Sequence, residues 1–120
     1  MSAPVLLFAT ASAAQAPQLV RQMVDEQLIA CGNVMPGARS FYRWDGAVQD
    51  EQESLLFMET RGELVKAAMR RFAELHDYDV PKILVLDPHD VWGPYATWVN
   101  ASVKAASGGS GSGSSAPDDG

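Results

Sequence analysis

The chain has 120 residues and a formal net charge of −6, of which Asp118 and Asp119 near its end contribute two, and 47% of its residues are hydrophobic. This is one domain of ordinary size with enough apolar side chains for its own core. An acidic chain with scattered Lys and Arg is not held to a phosphate backbone by charge, so no nucleic-acid partner is expected. The single cysteine, Cys31, excludes an internal disulfide and any zinc site built on paired cysteines. No apolar run approaches bilayer length, so no membrane partner is expected and the cytoplasm is the expected compartment.

PVLLFAT (4–10) is an apolar run of strand length. Ser12 offers a helix cap and Pro17 suits an early helical turn. Leu19, Val20, Met23, Val24 and Leu28 then recur at helical spacing, which predicts an amphipathic helix ending near Ala30. Residues 33–60 read as a long hairpin turned at Asp45-Gly46, with Pro36-Gly37 bending or bulging its first arm and keeping that arm partly at a sheet edge. Thr60-Arg61-Gly62-Glu63 matches a capping box, and Leu64, Ala68, Phe72 and Leu75 predict a second amphipathic helix to about His76.

KILVL (82–86) is a continuous apolar strand, DPHDVWG a loop, and Pro94 opens a short last helix. The order β-α-β-β-α-β with a terminal helix predicts an α+β, ferredoxin-like fold over residues 1–106. SGGSGSGSSAPDDG (107–120) has almost nothing to bury and reads as a disordered Gly/Ser-rich tail.

Phe41, Tyr42 and Trp44 put three aromatic rings near the hairpin tip. Strand alternation sends Tyr42 and Trp44 to one face and Phe41 to the other, so one sheet face cannot bury all three. They are expected at a subunit interface.

The stretch AELHDYDVPKI (73–83) sets His76 at a helix end with Asp77 and Asp79 just beyond it. Imidazole and carboxylate are metal ligands. A histidine in a last helical turn also serves the helix dipole with no ligand at all. His89 between Asp87 and Asp90 in DPHD reads as a solvated turn. Nothing forms a spaced nucleophile–base pattern, and no Gly-rich loop joins strand to helix in a phosphate-cradling form, so no enzymatic activity is expected. Asn100-Ala101-Ser102 fits the glycosylation tripeptide but carries no meaning in a cytoplasmic chain.

LIACGNVMPGARSFYRWDGAV resembles the LAAC-N-PG-S-Y-W-G signature of the CutA family of divalent-cation tolerance proteins, LHDYDVPKILVL resembles that family's LHPYE-PEI-LP segment, and YATWVNASV resembles its closing YL-W helix. The resemblance covers nearly all of residues 4–104. It implies a ferredoxin-like subunit in a homotrimer similar to the PII signalling proteins, with divalent ions, copper among them, bound in several members and no enzymatic activity. Of the copper ligands proposed in the family only His76 is matched here, since Leu75 and Ala9 stand at the other two places. Asp77, Asp79 and Cys31 are the side chains that complete a candidate set with His76, for a divalent ion held weakly. Glu59 and Lys82 reverse the signs the family shows at those positions, which makes either a swapped ion pair or a cleft of changed character. Two functions stand: a copper or other divalent-cation tolerance protein, and a PII-like trimeric regulator or scaffold with a small molecule or partner protein in its inter-subunit clefts.

Overall fold

Antiparallel pairing of four strands organises the chain in the computed structural model, which describes residues 3–105. Strand β1 (Pro4–Ala11), helix α1 (Ala16–Asp25), β2 (Cys31–Trp44), β3 (Ala47–Arg61), α2 (Val65–Leu75), β4 (Ile83–Leu86) and α3 (Gly93–Ser102) follow in that order. The sheet order is β2-β3-β1-β4, so β1 and β3 are interior and β2 and β4 are edges. This is the expected α+β, ferredoxin-like arrangement. The predicted tail 107–120 lies outside the described residues.

Alternation along the inner strands sorts the sheet into two unlike faces. Leu7 and Ala9 of β1 and Leu56 and Met58 of β3 are buried, and they form one core with Leu19, Val20 and Met23 of α1 and Ala68 and Phe72 of α2. The residues between them point away from these helices. There Phe8 lies across from Phe57 on one side and Leu84 on the other, and Leu6 lies across from Leu86. The Phe8 and Phe57 rings are 5.2 Å apart. Leu84 and Leu86 remain 50% and 46% exposed, so the chain leaves this second apolar face open.

The hairpin follows its sequence signals. Asp45 and Gly46 both have positive φ, the backbone of a two-residue type I′ turn. The β2–β3 register shifts between Met35 and Ala38, so Pro36 and Gly37 form a bulge in an edge strand, with Gly37 at φ +89°. Beyond that bulge the hairpin runs on as an arm.

Two expectations are corrected. Helix α1 stops at Asp25, well before Ala30, because Gln27 takes a left-handed φ of 60°. The Gln27 N–H donates to the Val24 carbonyl and the Leu28 N–H to that of Met23, a Schellman closure made without glycine. Leu28 and Ile29 are still buried, but as the return to β2. The capping box at Thr60 does not form either. Pairing with β1 continues to Pro4 and Arg61, so Thr60 is held extended opposite Val5 and its buried hydroxyl has no hydrogen-bond partner among the described residues. A 3-10 turn, Gly62–Leu64, starts α2 instead.

Candidate functional site

Helix α2 ends where its last N–H, that of His76, donates to the Phe72 carbonyl and the backbone turns extended. The side chain of Gln15 secures this end from the α1 side. Its Nε2 donates to the Leu75 carbonyl (2.9 Å) and its Oε1 accepts the Asp77 N–H (3.1 Å). One amide thereby satisfies a free carbonyl and a free N–H at the helix terminus.

His76 is only 7% exposed, packed edge-on to Phe72 and 4.5 Å from the Tyr78 ring. Its Nδ1 accepts the backbone N–H of Tyr78 (3.1 Å), so that nitrogen carries no hydrogen. Nε2 therefore bears the ring hydrogen and donates it to the Thr10 carbonyl of β1 (2.8 Å). Both ring nitrogens are occupied by backbone partners. The Tyr78 hydroxyl in turn donates to Oε2 of Glu53 (2.7 Å), a carboxylate buried in the hairpin where the arm leaves the sheet. Burial, followed by this bond to Glu53, pushes the Tyr78 phenol well above the usual tyrosine range. Tyr42 on the arm bonds Glu51 in the same way (2.6 Å), and that bond is the main cause raising its pKa.

Asp77 and Asp79 flank this assembly as exposed carboxylates. Cys31 lies elsewhere. It faces Glu59, which is paired with Leu6, whereas His76 holds Thr10, four residues along the same strand and about 13 Å away by strand rise. Burial, then the charge of Glu59, pushes the Cys31 thiol up, which opposes the thiolate a metal requires. No group of three or more His, Cys, Asp or Glu side chains gathers as a metal-ligand set among the described residues. Within one subunit His76, Asp77, Asp79 and Cys31 do not fit a shared ion. A ring nitrogen binds metal through a free lone pair, and His76 has none without releasing a backbone bond.

Glu59 and Lys82 are also apart. Glu59 accepts the Tyr95 hydroxyl (2.9 Å), which stacks on Trp98, while Lys82 lies 4.9 Å over the Phe8 ring beside the start of β4. Within the subunit they form no swapped ion pair, and they place opposite charges at different ends of the open face. The three hairpin aromatics are uncovered: Phe41 is 62%, Tyr42 39% and Trp44 51% exposed. His89 sits in an exposed turn, where Asp90 accepts the Val91 N–H, as a solvated DPHD loop requires. Sequence reasoning missed Gln15, Tyr78 and Glu53. Tyr78 stood inside the HDYD stretch, but its partner is far away in the chain and no local signal joins them.

One helix-covered face, one open apolar face and a projecting aromatic hairpin define a small α+β protein of the ferredoxin-like class. The model of the CutA1 divalent ion tolerance protein family matches residues 5–102, and the chain belongs to that family. The divalent-cation tolerance protein CutA of Pyrococcus horikoshii is 36% identical over 89 residues, 74% of this chain and 86% of that one. The chloroplastic protein CutA of Arabidopsis thaliana is 34% identical over 87 residues, 72% of this chain but only 48% of that longer protein. Among solved structures, CutA from Xylella fastidiosa superposes with a TM-score of 0.82 at 34% identity, covering 86% of this chain and all of that one. Among the described residues no helix is long and apolar enough to cross a membrane.

Proposed function

We propose that this protein is a non-catalytic homotrimer of divalent-cation tolerance, working in the cytoplasm. The observation that carries the assembly is the open sheet face of Leu6, Phe8, Phe57, Leu84 and Leu86. A contiguous apolar face of this kind is expected to be covered. The arm aromatics Phe41, Tyr42 and Trp44 are proposed as the second contact, reaching a neighbouring subunit because their own sheet cannot cover them. Membership of a divalent-ion tolerance family supports the cation role. The ligands on offer are the exposed carboxylates Asp77 and Asp79, a hard, oxygen-only pair that holds a divalent ion, copper included, weakly.

Light scattering on the full chain tests the assembly: a mass of three chains at micromolar concentration supports it, and a monomer sinks it. Calorimetry with Cu(II) near neutral pH tests the cation role. Binding well below millimolar, weakened in the Asp77→Asn, Asp79→Asn double variant, supports it, and the absence of binding favours the second reading. That reading is a PII-like scaffold holding a small molecule or partner protein between subunits. Its support is the engagement of both His76 ring nitrogens, which withdraws the one imidazole of the candidate ligand set.

A further inference from the structure

Hydrogen bonds run without a break from the interior strand β1 to the root of the hairpin arm. The Thr10 carbonyl accepts from His76 Nε2, His76 Nδ1 accepts from the Tyr78 N–H, and the Tyr78 hydroxyl donates to Glu53. Glu53 is paired with Ala38, the first residue of β2 after the bulge. The chain of bonds thus ends at the point where the arm would otherwise be free to swing, since the bulge interrupts the β2–β3 ladder there. Three of its four members, Thr10, His76 and Glu53, are buried. A buried carboxylate needs a donor, and Tyr78 supplies it. His76 holds the N–H of Tyr78 itself and so fixes the backbone from which that hydroxyl reaches Glu53. Phe72 and the Tyr78 ring close around the imidazole and hold its plane.

We propose that His76 is a positioning residue, the pin of a latch that fixes the hairpin arm through Tyr78 and Glu53, and that it is not a cation ligand. The two halves of the statement have one cause. The lone pair a cation would need is the one that holds Tyr78, and the other nitrogen is committed to β1. A cation taken by His76 would have to release the arm, so ion binding at this imidazole and a fixed arm exclude each other. The ring-nitrogen half does not depend on how many subunits assemble, and the arm half adds to any contact a neighbour makes with the arm.

The test uses the full chain. Nitrogen-15 NMR of the His76 ring is expected to show the Nε2–H form with a bare, hydrogen-bonded Nδ1, unchanged by excess Zn(II). A shift of either ring nitrogen on adding Zn(II) would overturn the proposal. Tyr78→Phe removes only the hydroxyl that reaches Glu53 and leaves the packing of the ring. It is expected to speed amide exchange over residues 38–52 about tenfold or more while the amides of β1 stay protected. Unchanged arm exchange would overturn the latch. His76→Gln is expected to show the same arm pattern, and Tyr78→Phe keeps the test decisive if that variant does not fold. Exchange is compared at matched mass by light scattering, so a failure of the trimer reading shows in the mass and a failure of the latch shows in the ring nitrogens and the arm.

Discussion

Gly32 shows how closely single residues are set in this core. A Cβ placed there would run into Val20 Cγ1 and meet Ile29 Cδ1 at 3.3 Å. Gly32→Ala is therefore expected to destabilise by about 1–3 kcal/mol through overpacking, read as a lowered urea midpoint with unchanged slope. Phe72 lies fully buried between the sheet and the His76 ring, and Phe72→Ala is expected to cost about 3–5 kcal/mol in the same measurement. At the surface, Arg71 donates from Nε and Nη2 to the two oxygens of Glu26 (2.8 and 2.9 Å) and joins α2 to α1. This bond to Arg71 holds the Glu26 carboxyl below its ordinary pKa of 4.5. A depressed folded-state pKa means the stabilisation is present above pH 4.5 and is lost as the pH falls through the lower folded value. Both groups are about a third exposed, so the contribution is at most about 1 kcal/mol. Thermal melts of Arg71→Ala and the parent chain should differ at pH 7 and converge in acid. A difference that persists unchanged at pH 2 would contradict this.

At the scale of elements, the ends decide more than the middles. The apolar spacing through Leu28 and Ile29 continues the pattern of α1, yet the helix closes earlier at a left-handed Gln27. Gln27→Gly is expected to stabilise the chain by about 0.5 kcal/mol, because glycine takes that φ without a Cβ penalty and offsets its greater unfolded-state freedom. A lower melting temperature in this variant would show that the Schellman closure is not under strain. The hairpin was legible because Asp45-Gly46 and Pro36-Gly37 each act through their own backbone. The capping box at Thr60 was misleading because a strand pairing that begins at Pro4 takes Thr60 before a helix can.

For the whole molecule, the decisive feature is the surface this chain leaves uncovered. Leu84 and Leu86 on an edge strand, with Phe8 and Phe57 beside them, make a face that one chain alone does not bury. Leu84→Glu places a charge on that face without touching the helix-covered core. It is expected to lower the mass to that of a single chain while the far-ultraviolet circular dichroism of the parent is kept. A variant that keeps the parent's mass would place the subunit contact elsewhere. A folded monomer would show that assembly is added to a subunit stable by itself.

The element order, the helix-facing stripes, the hairpin turn, its bulge and the family were legible along the chain, since each is written in periods, backbone-special residues and motifs that act over short distances. So was the place of His76 at a helix end with two carboxylates after it. What that histidine does depends on contacts that the folded chain makes. Its partners are the carbonyl of Thr10, 66 residues away, and, through Tyr78, the carboxylate of Glu53, 25 residues before that tyrosine. The same holds for Cys31, which the sheet register sets at Glu59 and away from His76. Ligand character is a property of residue type and can be read along a chain. Whether a ring nitrogen is free depends on what stands against it: the Tyr78 N–H two residues on takes Nδ1, and the fold brings the Thr10 carbonyl to Nε2.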